Sequence, residues 1–78
     1  MANLYLLTQN ENNEYDTFDS CVVCAEDFVT AQRISPSGRF DNRTWASSPD
    51  NVTAVKIGTA HEDIEIGSVV ISSFNSAG

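Results

Sequence analysis

Residues 20–36 read SCVVCAEDFVTAQRISP, and this stretch decides the fold. Ser20–Ala25 is a short run with apolar side chains on both faces, a pattern typical of a buried strand. Asp27 is a favourable N-cap and predicts a short helix that extends to about Ser35. Pro36 ends this helix, because a proline pushes the preceding residue out of helical geometry.

Three further strands are predicted outside this stretch, one before it and two after it, at Leu4–Thr8, Val52–Ile57 and Ser68–Phe74. The order β-β-α-β-β predicts a small α+β fold with a mainly antiparallel four-stranded sheet and one short helix. With 78 residues, the chain is expected to be a single domain, residues 1–78, with a core that is marginal on its own. The helix is predicted to bury a stripe made of Phe28, Ala31 and Ile34.

Apolar residues on both faces of the strands predict self-association. The first strand carries Leu4 and Leu6 on one face and Tyr5 and Leu7 on the other, yet one short helix can cover only one face. An uncovered apolar face of several hundred square ångströms is rare on a soluble monomer. We therefore expect an isologous homodimer or a higher homo-oligomer, with a second copy over this face. The alternative is that the long loops fold over it.

Cys21 and Cys24 form a CxxC pair, but a place in a strand argues against metal or redox chemistry. Residues three apart in a strand point to opposite faces and lie about 10 Å apart, beyond the ~7 Å limit for a disulfide. His61 is the only other soft ligand, so one chain cannot complete a tetrahedral zinc site. We predict two buried thiols, no metal and no cofactor, with a metal shared across a dimer as the remaining alternative.

Catalytic motifs are equally weak. His61-Glu62-Asp63 opens like the zincin motif HExxH, but Glu65 stands where the second His belongs. A lone His without supporting spacing makes no catalytic triad. The protein is therefore predicted not to be an enzyme.

Cationic side chains are concentrated in one place. Three of the four, Arg33, Arg39 and Arg43, fall within residues 33–45, RISPSGRFDNRTW. Three Arg against one Asp give this stretch +2, which leaves −9 for the rest of a chain whose net charge is −7. A cationic and aromatic island in an acidic chain is typical of a place that holds an anionic or π-rich ligand.

Within this island, different groups would contact different parts of a ligand. The arginines could contact phosphate or carboxylate, and Ser37 and Gly38 offer backbone N–H groups for an anion. Trp45 and Phe40 could stack on a base or ring. The alternative is that both aromatic rings pack in the core while the arginines form ion pairs, Arg33 also complementing the helix dipole.

The end of the fourth strand adds two polar candidates. If that strand is central in the sheet, Ser73 and Asn75 project from its end, where small polar ligands are often held. The predicted ligand-binding residues are therefore Arg33, Ser37, Gly38, Arg39, Arg43, Trp45, Ser73 and Asn75.

The acidic balance bears on partners and compartment. A net charge of −7 argues against DNA binding, because phosphate attraction needs a spread of Lys and Arg. It favours docking onto a basic protein surface. Neither a secretory signal nor a membrane span is recognisable in the sequence, so a cytoplasmic protein is expected. The acidic residues predicted for such an interface are Glu11, Glu14, Asp16, Asp19, Glu62, Asp63 and Glu65.

Short motifs along nearly the whole chain carry a resemblance to a family. They are Leu4–Gln9, Tyr15–Ser20, Val22-Val23, Ala31–Ile34, Pro36–Gly38, Trp45, Ile57–Ala60 and Ser73–Asn75. On these motifs, distinctive together and weak singly, the chain resembles small uncharacterised proteins encoded by bacteriophages. Members typically show a His before the Pro-Ser-Gly turn, where this chain has Ser35 and therefore no imidazole.

The resemblance implies an accessory protein that counters a host defence system by stoichiometric binding in the host cell cytoplasm. In one mechanism it sequesters a small nucleotide-type signal, with the arginines on phosphates and Trp45 or Phe40 on the base. In the other, its acidic surface docks onto a basic, nucleic-acid-binding host protein and blocks it. A structural or regulatory module without a small ligand is the third alternative.

Overall fold

Four antiparallel strands and one short α-helix form the part of the chain described by the structure, a computed structural model that covers residues 2–11, 17–41 and 43–75. The strands β1 and β2 form the centre of the sheet and β3 and β4 its edges, in the order β3-β1-β2-β4. The elements are β1 (Asn3–Gln9), β2 (Thr17–Ala25), α1 (Phe28–Gln32), a 3-10 turn (Pro49–Asn51), β3 (Val52–Thr59) and β4 (Val69–Asn75).

The predicted α+β class and the order β-β-α-β-β are confirmed. The strand bounds differ from the predicted ones by a few residues, because backbone pairing continues beyond the apolar side chains. Strand β2, for example, begins at Thr17 and not at Ser20, since Thr17 still pairs with Asn75 of β4.

Helix α1 begins where the sequence predicts and ends earlier. The Asp27 carboxylate accepts a hydrogen bond from the backbone N–H of Thr30 at 2.8 Å, which is the expected N-cap. The backbone N–H of Arg33 bonds the Thr30 carbonyl at 3.1 Å, a tight closure of 3-10 type, and the helix ends at Gln32 instead of about Ser35. No helix among the described residues is long and apolar enough to cross a membrane.

The core lies on one face of the sheet, which we call the covered face. Its floor consists of the cross-strand neighbours Leu7 and Cys21, and Tyr5 and Val23. All four side chains are at most 6% exposed. Helix α1 and the long loop after it pack over this floor, and the loop contributes Trp45, which is 0% exposed.

The predicted helix stripe is correct for two of its three residues. Ala31 is fully buried and Ile34 is half-buried against the core, but Phe28 is 56% exposed. The helix meets the sheet through its C-terminal half, where the Gln32 side-chain amide also donates to the Val52 carbonyl at 2.8 Å. Phe28 begins the helix at the other end and therefore lies beyond the core.

Candidate functional site

Most of the predicted ligand-binding residues lie in the connection between α1 and the 3-10 turn. We call residues 33–45 of this connection the arginine loop. Its first residue, Arg33, is the C-cap of α1, where a cation complements the helix dipole. Near its other end, the carbonyl of Thr44 accepts a hydrogen bond from the backbone N–H of Phe18 in β2 at 2.7 Å. The loop is thus tied to the helix and to the sheet.

The aromatic residues of the arginine loop face the core. Trp45 is 0% exposed, and Phe40 is half-buried against the same cluster. The packing alternative is therefore the one that the structure adopts, and the stacking role predicted for Trp45 is corrected, because no face of its ring reaches solvent. The burial of Ala46, next to Trp45, marks the same inward turn of the chain.

The backbone donors predicted to bind an anion are already used within the turn. The N–H of Ser37 donates to the Ser35 hydroxyl at 3.2 Å, and the N–H of Gly38 donates to the Ser35 carbonyl at 3.1 Å. The hydroxyls of Ser35 and Ser37 both donate to the carbonyl of Arg39. Gly38 has a φ of 87°, a conformation that other residues rarely adopt. Ser35 therefore closes the turn, and Ser37 and Gly38 offer no anion nest in this conformation.

One carboxylate organises the two outer arginines. Asp41 Oδ2 lies 3.2 Å from Arg43 Nη2 and 3.7 Å from Arg39 Nη2. Asp41 Oδ1 also accepts from the backbone N–H of Arg43 at 2.9 Å and from its Nε at 3.3 Å. These hydrogen bonds from Arg43, helped by the charge of Arg39, hold the pKa of Asp41 below its usual value.

The arginine pair remains available to solvent despite this ion pairing. The side chains of Arg39 and Arg43 are 76% and 81% exposed, whereas that of Asp41 is 15% exposed. Two guanidinium groups around one carboxylate leave a net charge of +1. The outer side of the loop can therefore contact a small anion through charge, without an aromatic ring to hold a base.

The two C-terminal candidates do not meet the condition on which they were predicted. Strand β4 is an edge strand and not a central one. Ser73 pairs with Ser20 of β2 and is exposed. Asn75 ends the strand, opposite Thr17. Strand β4 therefore pairs with β2 alone, and the central position that would bring other strand ends beside these residues is not the one that β4 occupies.

The predicted acidic interface divides between opposite ends of the sheet. Glu62, Asp63 and Glu65 lie in the turn after β3, which we call the acidic turn (residues 61–65). Glu11 follows the other end of β1, and Asp19 lies within β2, where its carboxylate accepts from the Ser20 hydroxyl. The two remaining candidates, which lie outside the described residues, are Glu14 and Asp16.

Glu11 has a specific set of partners. Its carboxylate accepts from the backbone N–H of Ser47 at 2.9 Å and from the Asn51 side-chain amide at 2.7 Å. These hydrogen bonds, that from the Ser47 backbone first, lower the pKa of Glu11. Because Ser47 follows the buried Ala46, Glu11 fixes the chain that covers the core.

The face of the sheet opposite the core, which we call the open face, carries a continuous apolar row. Leu6 of β1 lies between Val55 of β3 and Val22 of β2, and Val22 lies beside Ile71 of β4. Val55 is 52% exposed and Ile71 is 65% exposed. The row therefore crosses all four strands, a continuity that follows from the register and cannot be seen in the sequence alone.

Polar and covered residues border this row on its two sides. On one side a second row consists of hydroxyl side chains, those of Thr53, Thr8, Ser20 and Ser73. On the other side Cys24 is buried beneath the loop between β3 and β4, with its Sγ 3.9 Å from the carbonyl oxygen of Ile64. The loop covers the Cys24 end of the open face and leaves the apolar row exposed.

Both cysteines are buried and free, as predicted. Cys21 faces the core, and burial raises the pKa of its thiol to about 12, which disfavours a reactive thiolate. Cys24 occupies the other side of the strand, opposite Leu4. Across residues 2–11, 17–41 and 43–75, no group of three or more His, Cys, Asp or Glu residues is arranged to hold a metal ion.

Comparison of the chain with protein-family models, with curated proteins and with solved structures gives no match. Function is therefore inferred from the geometry of this chain itself.

Proposed function

We propose that the protein is a non-catalytic binding protein that works as a homodimer, joined through its open face, and docks onto a basic protein. The observation that carries this proposal is the apolar row across all four strands, in which Val55 and Ile71 at the edges are exposed and Leu6 and Val22 at the centre are half-buried. Burial of such a row is favourable in proportion to the apolar area removed from water.

A second copy of the chain suits this face better than a charged partner. The apolar row and the hydroxyl row contain no charged side chain, although the chain carries −7. The two rows can therefore meet without a charged side chain of their own between them, and the Asp19 carboxylate, which accepts from the Ser20 hydroxyl, contacts the hydroxyl row. A two-fold axis reverses the row over itself, so that Leu6 of each copy faces Val22 of the other, and Val55 faces Ile71.

The size of the face sets the expected strength of the dimer. Four adjacent strands, of which the two shortest have seven residues, span at least roughly 19 by 23 Å. Two such faces bury an area at the low end of specific protein interfaces. We therefore expect a dimer that dissociates at micromolar concentration.

The rest of the surface would bind the target. A dimer carries −14, twice the −7 of the chain, which attracts a basic protein and repels nucleic acid. The acidic turn lies beyond the end of β3, and Glu62, Asp63 and Glu65 are exposed there in the single chain. If the resemblance to bacteriophage proteins holds, this target is a basic host defence protein that is blocked by occupancy.

Replacing one apolar side chain by Asp tests the dimer. Ile71→Asp places a charge in the apolar row, whereas Val29→Asp places the same charge on an exposed valine of α1, 49% exposed and outside the row. Sedimentation at about 100 µM should give a dimer for the wild type and Val29→Asp, and a folded monomer for Ile71→Asp. A wild-type monomer at that concentration, or equal effects of the two substitutions, would remove the proposal.

Sequestration of a small nucleotide-type signal is the second candidate, and the exposure of Arg39 and Arg43 favours it. With Trp45 in the core, a nucleotide would be held by its phosphates and not by its base. Adenine nucleotides, guanine nucleotides and cyclic nucleotides should then raise the melting temperature of the protein no more than pyrophosphate does. Arg39→Ala should abolish the rise, while Lys56→Ala, which removes a cation outside the loop, should keep it. Unchanged melting with every phosphate compound would end this candidate.

A further inference from the structure

A cavity of about 360 Å³ opens beside the acidic turn. This volume is within the range of pockets that hold small molecules or one to two side chains. Four aliphatic residues and two polar ones line it, namely Ala2, Ala60, Ile64, Ile66, His61 and Glu62. The cavity therefore combines an apolar floor with a titratable and acidic edge.

Backbone hydrogen bonds fix the walls of the cavity. The N–H of Ala60 donates to the carbonyl of Ala2 at 3.0 Å, and the N–H of Ile64 donates to the carbonyl of His61 at 2.9 Å. The loop then returns to the sheet, where the N–H of Gly67 donates to the carbonyl of Cys24 at 2.7 Å. Because the chain already holds this shape, a ligand does not have to order it.

The charge around the cavity selects the ligand. Glu62 lines the cavity, Asp63 and Glu65 are exposed and adjoin the lining residue Ile64 in sequence, and the chain has no Lys or Arg after Lys56. His61 Nδ1 lies 3.1 Å from the backbone nitrogen of Asp63 and 3.5 Å from its carboxylate, so His61 and Asp63 are in contact beside the cavity. The edge is thus anionic, so it repels apolar anions and attracts an apolar group that lies beside a cation.

We propose that this cavity receives one aliphatic side chain of the basic protein partner, flanked by lysine or arginine residues that contact Glu62, Asp63 and Glu65. This inference rests on the proposed docking to a basic protein and specifies which residues of that partner enter. The apolar floor takes the aliphatic side chain, and the acidic edge takes the flanking charges. The open face, used by the dimer, has no part in it.

Three short peptides test this pairing of shape and charge. The probes are acetyl-Lys-Leu-Lys-amide, acetyl-Lys-Ala-Lys-amide and acetyl-Glu-Leu-Glu-amide, titrated into the full chain while NMR follows the methyl groups of Ala60, Ile64 and Ile66. We expect saturable shifts with the first peptide. Binding of the alanine peptide should be about fiftyfold weaker, since about three carbons leave the cavity. The glutamate peptide should leave the methyl signals unchanged.

Two matched charge variants locate the contact. Glu62→Gln should weaken acetyl-Lys-Leu-Lys-amide about two- to fivefold, the range of an exposed ion pair. Glu26→Gln removes the same charge at an exposed position outside the cavity and should leave the affinity unchanged. Ile66→Ser, at a residue that is 52% exposed, should weaken the leucine peptide and not the alanine peptide.

The outcomes separate the cavity from the broader proposal. Equal binding of the leucine and alanine peptides would contradict the proposal that the cavity binds an aliphatic side chain. Docking onto a basic protein would remain possible. Absence of binding by every lysine peptide would overturn both. Equal effects of Glu62→Gln and Glu26→Gln would also overturn the cavity, since binding would then follow net charge alone.

Discussion

The covered face and the open face of the sheet are built by alternate residues of the same strands, yet they differ in what lies over them. Leu7 on the covered face is 0% exposed, beneath helix α1 and the arginine loop, whereas its neighbour Leu6 belongs to the exposed apolar row. This difference indicates that the main role of the arginine loop is structural, since it packs over the covered face of the sheet. Its aromatic side faces inward to complete the core, and only its arginine side faces solvent.

Of the substitutions considered, removal of the Trp45 side chain, which packs over the covered face, should lower the stability of the protein most. Trp45→Ala leaves a cavity in the core, and we expect a loss of about 3–5 kcal/mol in the free energy of unfolding. Phe28→Ala, which removes an aromatic ring that is 56% exposed, should cost less than about 1 kcal/mol. Urea unfolding followed by circular dichroism measures both. Similar losses in the two variants would mean that Trp45 does not complete the core.

Two neighbouring leucines of β1 compare the faces directly. Leu7→Ala should lower the free energy of unfolding by about 2–5 kcal/mol at every protein concentration. Leu6→Ala should cost about 1 kcal/mol in the monomer and more at concentrations where the dimer forms, because dimerisation adds to stability by mass action. Denaturation at 1 µM and at 200 µM tests this. A concentration-independent loss in Leu6→Ala would contradict a dimer through the open face.

The reaction rates of the two thiols measure how readily the residues over each face of the sheet move away. Cys24→Ala leaves Cys21 beneath the core, and Cys21→Ala leaves Cys24 beneath the loop between β3 and β4. We expect a disulfide reagent at pH 8 to modify Cys24 faster than Cys21. Cys21 has a thiol pKa of about 12 and is reached only when the core opens. Faster reaction of Cys21 would show that the covered face is the looser one.

The smallest expected effect is a change in stability at low pH that comes from Glu11. The folded pKa of Glu11 is lowered by its hydrogen bonds from Ser47 and Asn51, so its stabilising contribution is present above the unfolded pKa, near 4.3. This contribution is lost as pH falls through the folded pKa. Wild type should therefore melt above Glu11→Gln at pH 7, and the gap should close as the pH falls through the folded pKa of Glu11. Glu26→Gln is the matched control, and a gap that persists at low pH would rule out the Glu11 carboxylate as its source.

The sequence predicted the fold more fully than the site. The N-cap at Asp27 and the four strands follow from local patterns, which read directly from neighbouring residues. The direction in which Trp45 points does not follow from local patterns. It depends on a loop that returns to β2 through the hydrogen bond between Phe18 and Thr44, which are 26 residues apart. In the same way, the apolar row depends on the register between strands that are distant in sequence, such as Leu6 and Val55.

The order of the strands also bears on how the chain folds during synthesis. The central hairpin β1–β2 leaves the ribosome first, and both of its edges stay unpaired until β3 and β4 follow. The outer pairings are non-local, since Asn3 meets Thr59 and Thr17 meets Asn75, and such pairings form slowly. Unpaired strand edges invite pairing with other nascent chains. Strand β4 is therefore the last strand to pair, and it completes the open sheet. A truncation before Val69 would leave an unpaired, aggregation-prone edge on β2.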